Sequence, residues 1–284
     1  MKFGIIGGSG LYEIEGLTDI ENTKISTPFG EPSDEYVSGR LEGKEVVFLP
    51  RHGRGHKYLP SEINYRANIW GMKSLGVTHL IAVSAVGSLK KKIEPGDIVL
   101  PDQFIDRTKD RPSTFFGNGL VAHLQFGNPT CNHLSSAIAE ITRSIGITCH
   151  ESGTYVCMEG PMFSTRAESE MYRSFGASVI GMTNLQEAKL AREAELCFST
   201  IALATDYDCW HESEEEVTVD AILEVMRKNV ENTKNILKNL VGKFQPKTPV
   251  CQDQNSLQGA ILTSLDLIPV QVKEDLNIII GRYL

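Results

Sequence analysis

Two aspartates, Asp206 and Asp208, flank Tyr207 just after the apolar run Phe198–Ala204. In an extended segment residues i and i+2 face the same way, so both carboxylates can enter one pocket. Crowded carboxylates raise one another's pKa, which is what a proton donor at neutral pH needs. The plainer reading is a pair of turn-forming aspartates. Three further segments suit an anion. Gly7-Gly8-Ser9-Gly10 directly follows a short apolar run. Its N–H groups and the Ser9 hydroxyl can cradle phosphate oxygens. A dinucleotide fingerprint would need a third glycine three residues after Gly10, where Glu13 stands. A simple tight turn is the rival reading. Arg51-His52-Gly53-Arg54-Gly55-His56 pairs guanidinium forks with imidazoles. His52 and His56 have zinc-like spacing on a helix, but the glycines disfavour the helix and the arginines repel a cation. A basic surface loop without function competes. Ser84-Ala85-Val86-Gly87-Ser88 ends another apolar run, where open α/β sheets place ligands. Small residues there also suit close helix–strand packing.

Two more segments carry groups that suit a planar base and a sugar. In Glu159-Gly160-Pro161-Met162-Phe163-Ser164-Thr165-Arg166-Ala167-Glu168, Phe163 can stack and Ser164 can hydrogen-bond, while Thr165 and Glu168 fit a capping box. Gly181-Met182-Thr183-Asn184 offers an adaptable thioether and a hydroxyl, although a buried Met is commonly core.

The elements that must position these groups alternate in type. Phe3–Ile6, Glu45–Leu49, His79–Val83, Asp97–Leu100, Ser178–Met182 and Phe198–Ala204 read as strands, apolar throughout as in a sheet covered on both faces. Helices are expected over 62–75 behind a Ser61 cap, over Leu134–Ile145 ending at Gly146, and over Thr165–Phe175 ending at Gly176. The strongest stripe is Val219, Ile222, Leu223, Met226, Val230, Leu237, Leu240 and Val241, with Thr218 placed to cap. The pattern predicts a single α/β domain over 1–284. Its catalytic core is about 1–243, and 244–284 is a connector with a short helix near 256–265.

Composition removes several classes. The 284 residues carry a formal charge of −8, which disfavours a nucleic-acid backbone as partner. The one basic run, Lys90–Lys92, reads as a solvated loop. No apolar stretch approaches the ~18 residues of a membrane span. Met1–Ile6 runs into a glycine turn without a leader pattern, so the expectation is a cytoplasmic protein. The six dispersed cysteines never form C-x-x-C and then read as reduced, mostly packed thiols, a disulfide from chance proximity being the alternative.

Taken in order, GGSG, PRHGRGH, SAVGSL, PGDIVLPDQFIDRT, EGPMFSTRAE, MTN and ATDYDCW resemble the trimeric purine nucleoside phosphorylase family over about residues 1–243. The resemblance is nearest to the branch that cleaves 5′-methylthioadenosine. It implies an α/β domain with a mixed, partly barrel-like central sheet flanked by helices, assembled as a homotrimer or a dimer of trimers. The implied reaction is phosphorolysis to adenine and 5-methylthioribose 1-phosphate. Inorganic phosphate is the co-substrate, and no metal or organic cofactor is needed. Carried over by motif, Ser9, Arg51, His52, Ser84, Ala85 and Thr183 would hold phosphate. Met182 and Phe163 would pack on ribose and base. Asp206 and Asp208 would read adenine N7 and the 6-amino group, with Ser164 nearby. Val219 and Ile222 would line the methylthio pocket, and His123 would be lent by a neighbouring subunit, against the plainer reading of an exposed loop residue. Met162 stands where relatives usually have Arg, Gln186 where Pro is frequent, and Ile222 where Val is often found. A broader purine nucleoside phosphorylase, a phosphate-independent nucleosidase and a non-catalytic nucleoside-binding module are the alternatives.

Overall fold

The computed structural model describes residues 1–211, 219–246 and 251–284. Among the described residues eleven strands form one mixed sheet: β1 (Phe3–Gly7), β2 (Thr18–Thr23), β3 (Tyr36–Leu41), β4 (Lys44–Pro50), β5 (His79–Ser88), β6 (Ile98–Val99), β7 (Gln103–Arg107), β8 (Cys149–His150), β9 (Thr154–Met158), β10 (Val179–Gly181) and β11 (Cys197–Tyr207). The main path runs β2-β3-β4-β1-β5-β10-β9-β7, and β11, β6 and β8 branch from β5. The helices are α1 (Tyr65–Ser74), α2 (Asn132–Ser144), α3 (Arg166–Ser174), α4 (Leu185–Glu193), α5 (Val219–Lys243), α6 (Val270–Asp275) and α7 (Asn277–Ile280).

The centre of the sheet is parallel: β1 pairs in parallel with β4 and β5, and β5 with β11. Side chains alternate between two cores, as the pleat requires. Phe3, Ile5, Ile81, Val83, Ile201 and Leu203 face one core with Leu134 and Ile138 of α2 and Ile236 and Leu240 of α5. Ile6, Leu80, Ala82 and Phe198 face the other with Ile69 and Met72 of α1 and Ala188 and Leu190 of α4. Both faces are covered, hence the unbroken apolar runs. Because β1, β4, β5 and β11 are mutually parallel, their carboxyl ends emerge on one side, which gathers the loops that carry the chemistry.

Several boundaries differ from expectation. Helix α1 begins at Tyr65, capped not by Ser61 but by Asn64, whose side chain accepts from Ala67 N at 3.1 Å. The expected helix near 256–265 is absent. A 3-10 turn covers Gln252–Asn255, and the tail's helices lie later, at α6 and α7. Thr165 and Glu168 do form the capping box of α3. Thr218 lies outside the described residues, as do the side chains of Val219 and Ile222. No helix among the described residues is long and apolar enough to cross a membrane.

Candidate active site

At the anion end the first two glycine-bearing loops meet. A Cβ on Gly7 would lie 2.5 Å from Leu11 Cδ1 and 3.1 Å from Val83 Cβ, so the turn after β1 closes only on glycine. Gly7 O then accepts from Arg51 N at 2.9 Å, which sets the GGSG turn beside the loop after β4. Ser9 opens a 3-10 turn, Ser9–Tyr12, and its side chain is outside those described. The segment from Arg51 to His56 is turn, not helix, and the His52 and His56 rings stack at 4.1 Å. It is not a zinc-binding helix.

Arg51 is buried and heavily engaged. Its Nε and Nη2 donate to the two Glu187 oxygens at 2.5 and 3.0 Å, Nη1 to Val83 O at 2.8 Å and Nη2 to Ile6 O at 3.3 Å. Four of its five N–H groups are therefore taken among the described residues, leaving one on Nη1. Burial works against the guanidinium charge, but the Glu187 carboxylate outweighs it and raises the Arg51 pKa. The expected forked clamp on an anion is thus directed mainly at Glu187. His52 is also tied back. Its Nδ1 lies 2.8 Å from Tyr58 O, an acceptor, so Nδ1 carries the proton and Nε2 keeps its lone pair. Burial lowers the His52 pKa to about 4, so the ring is neutral at pH 7. Ser84 and Thr183 come together from β5 and the end of β10. Their hydroxyl oxygens are 3.4 Å apart, and the Tyr155 hydroxyl is 3.4 Å from Ser84 Oγ. Ala85 is exposed one residue further along β5.

At the other end β11 delivers the carboxylates. The β5–β11 register slips between Ala204 and Asp206, so Asp206 sits opposite Gly87. A Cβ on Gly87 would lie 3.7 Å from Asp206 Oδ2 and 3.5 Å from Asp208 Cβ. Both acids therefore flank the SAVGS strand at the one position without a side chain. Burial raises the Asp206 pKa, a Thr205 hydrogen bond opposes the shift, and Asp208 adds to it. Asp208 is 8% exposed, and its Oδ2 is buried with no hydrogen-bond partner among the described residues. A buried acceptor left open is costly unless a ligand N–H fills it. Ser164 lies close by, its carbonyl accepting from Cys209 Sγ at 3.4 Å. Gly160, at φ +70°, would put a Cβ 2.6 Å from Met182 Sδ, so the EGP turn presses on Met182. Phe163 stands 83% exposed beyond them.

Two residues missed in the sequence, Glu187 and Arg111, organise this site together with Gln186, which the sequence marked only as a departure from the family pattern. Glu187, buried in α4, holds Arg51. Arg111 donates to Met182 O at 2.5 Å, Glu159 Oε1 at 3.2 Å, Tyr65 OH at 3.4 Å and Gln186 Oε1 at 3.4 Å. It pins the EGPMFS and MTN loops to each other. Gln186, fully buried, extends that network to the Thr108 hydroxyl at 2.9 Å. An apolar stripe in residues 185–193 would have exposed α4, but two buried polar residues interrupt it. Arg111 gave no local signal. His123 is exposed on the strip that pairs with residues 260–263, its N donating to Ala260 O at 3.0 Å. A 590 Å³ cavity lies at the opposite, amino end of β5, lined by Lys73, Thr78, Glu195 and Arg282 among others. It gathers none of the expected residues, and Glu195 there is already paired with Arg282.

A family model for the phosphorylase superfamily matches residues 2–242. The chain belongs to the phosphorylase superfamily. Within that superfamily it is 59% identical to an S-methyl-5′-thioadenosine phosphorylase of Geobacter sulfurreducens, over 99% of this chain and 98% of that one. It is 52% identical to one of Hyperthermus butylicus, over 91% and 94%. Among solved structures, a methylthioadenosine phosphorylase from an antarctic soil metagenomic library superposes with TM-score 0.94 at 46% identity, covering 98% of both chains. A Schistosoma mansoni adenosine/methylthioadenosine phosphorylase mutant in complex with methylthioadenosine superposes with TM-score 0.85 at 35% identity, over 94% of this chain and 100% of that one.

Proposed function

We propose that this phosphorylase cleaves 5′-methylthioadenosine with inorganic phosphate, giving adenine and 5-methylthioribose 1-phosphate. The observation that carries the reading is the base end. An acid with a raised pKa, Asp206, stands beside an open buried acceptor, Asp208 Oδ2. An adenine ring needs that pair, because N7 gains electron density as the glycosidic bond breaks and the 6-amino group donates. Protonated Asp206 donates to N7, and Asp208 accepts from N6. Phosphate attacks C1′ from the side of Ser84, Thr183, the Ser9 turn and Ala85, and its charge stabilises the oxocarbenium-like sugar. The remaining Arg51 N–H donates to phosphate, and the His52 Nε2 lone pair accepts from its P–OH. Met182 and Phe163 pack on ribose and base. Val219 and Ile222, whose side chains lie outside those described, are assigned to an apolar 5′ pocket on the family resemblance alone. The reaction requires no metal or organic cofactor, and we read the whole chain as one cytoplasmic catalytic domain.

The test is adenine release from methylthioadenosine with and without phosphate. Release at the same rate in phosphate-free buffer would make the protein a nucleosidase; no release at all would make it a binding module.

The assembly is read as a homotrimer or a dimer of trimers, with His123 completing a neighbour's 5′ pocket. Val121, Leu262, Leu265, Leu267 and Val270 are exposed apolar residues. Their two segments are joined, Leu262 N donating to Val121 O at 2.9 Å. A strip of this kind, with His123 on it, suits burial against another copy. Sedimentation of a fully active monomer would remove the shared site.

A further inference from the structure

Among the described residues, one cluster of metal-type ligands is assembled away from the proposed site. Cys131 precedes α2, Cys197 opens β11, and Cys251 and Asp253 lie at the start of the C-terminal segment. Their ligand atoms all fall within 4.8 Å of one another, and Cys131, Cys197 and Asp253 are buried while Cys251 is half-buried. We propose that Cys131, Cys197, Cys251 and Asp253 form a structural Zn²⁺ site that staples the C-terminal segment to the sheet and to α2.

A tetrahedral zinc with Zn–S of about 2.3 Å sets its sulfurs roughly 3.8 Å apart, so four atoms within 4.8 Å of one another need shifts on the order of 1 Å to close on one ion. Three thiols with a carboxylate suit a borderline-soft cation and suit calcium or magnesium poorly. The site also has an outer shell. Asp253 Oδ2 faces Cys251 Sγ at 3.2 Å, while Oδ1 is held by Arg192 Nη1 at 2.8 Å. Arg192 is itself anchored through Nη2 to Asn128 O at 2.5 Å. This orients one carboxylate oxygen toward the sulfurs and offsets the negative charge of the ligand set. Cys131 is also the N-cap of the 13-residue α2, where the helix end favours a thiolate. On binding, the remaining thiol protons pass to solvent and no electron moves. The ligands come from three distant segments, Cys251 and Asp253 being the one close pair, so no zinc spacing appears in the sequence.

The test is elemental analysis of the purified full-length protein, stripped with a chelator and refilled with Zn²⁺ alone under reducing conditions. About one zinc per chain is expected. Cys251→Ser should abolish most of it, and Arg192→Ala should weaken affinity by about 10–100-fold. Cys209→Ser, at the exposed cysteine, should leave the zinc content unchanged. If Cys251→Ser does not fold, thiolate-to-metal charge-transfer absorption of the Co²⁺-refilled wild type reads the same ligands. Wild type that takes up no stoichiometric metal, or equal loss in Cys209→Ser, overturns the proposal. So does an intact mass showing that two of the three cysteines are joined as a disulfide in the freshly purified protein.

Discussion

The two ends of the site are built differently. At the anion end the charged groups already have partners: Arg51 is bound by Glu187, and His52 is neutral and bonded to Tyr58 O. On the proposed reading, a phosphate there would meet the Ser84 and Thr183 hydroxyls, the Ser9 turn and a single Arg51 N–H. At the base end Asp208 Oδ2 is open, Asp206 holds its proton more tightly than an ordinary carboxyl, and Phe163 is exposed. One end is finished before ligand arrives and the other is finished by it. Substitutions at the base end should therefore act on turnover or nucleoside binding, and those at the anion end on stability and phosphate saturation.

The largest effect is expected at Asp206. Asp206→Asn keeps the shape but cannot carry a transferable proton, and general acid help is worth ~10²–10⁴-fold. The kcat for methylthioadenosine should drop by that order, with Tm little changed. Inosine presents an acceptor at position 6 and a donor at N1, so the wild type should reject it strongly, since mismatched buried polar groups discriminate by ~10⁴ or more. The variant should narrow that gap. Inosine cleaved by wild type as well as methylthioadenosine would refute the base assignment and promote a broad purine specificity.

Next comes Glu187. Glu187→Gln removes the charge that balances Arg51 in a site where both side chains are nearly inaccessible. Breaking one side of a buried pair costs about 3–5 kcal/mol. That corresponds to a Tm drop on the order of 10 °C. The phosphate KM should rise, because Gln keeps only one acceptor and Arg51 loses one of the two bonds that set its angle. A variant with unchanged Tm and unchanged phosphate KM would mean the pair does not hold the anion end.

The same contrast explains what could be read from the chain in advance. Strands β1, β4, β5, β10 and β11 were legible because both their faces are covered and their residues are apolar without interruption. Most motifs sit at their ends, so Ser84, Thr183, Asp206 and Asp208 were legible with them. Strand β2 was not: it is an exposed strand of polar residues, TDIENT, with no period to detect. Helix α4 was hidden because its buried face includes Gln186 and Glu187. Arg51 was found as a residue and misjudged in its bonding, since its partner lies 136 positions away. Arg111 works through carbonyls, and a carbonyl leaves no mark on residue type. The cysteine cluster was invisible because its ligands come from three segments distant in the chain.

The pH dependence separates the two ends at a smaller scale. The pKa of Asp206 is raised in the folded protein, burial being the main cause. A raised acid stays protonated to higher pH, so kcat should be level on the acid side and decline as pH rises through the folded value. Stability follows the same sign: the protonated form favours folding below the unfolded pKa of about 3.9, and that contribution is lost as pH rises through the folded pKa. His52 works in the opposite direction. Its folded pKa of about 4 lies below the ordinary 6.5, so its stabilising share is present above 6.5 and is lost as pH falls toward 4. In Asp206→Asn the alkaline limb of kcat should vanish while acid-side stability loss persists. An alkaline limb that survives in the variant would assign that titration to another group.

The smallest effect is expected at Phe163. Its ring is 83% exposed, so Phe163→Ala should leave Tm unchanged, as surface substitutions usually fall within about 0.5 kcal/mol. An aromatic contact is worth about 0.5–1.5 kcal/mol beyond the area it buries. If Phe163 folds down on the nucleoside, the variant should raise the methylthioadenosine KM on the order of 2–10-fold. The phosphate KM should stay as it was, because the exposed Phe163 ring is assigned to the nucleoside and not to the groups at the anion end. The kcat should also hold, since a stacking contact made equally in ground and transition states does not speed the chemical step. A shift in the phosphate KM, with the nucleoside KM unmoved, would reverse the division between the two ends. A drop in Tm would show that Phe163 is covered in the assembled protein, and would make this loop part of a contact between copies.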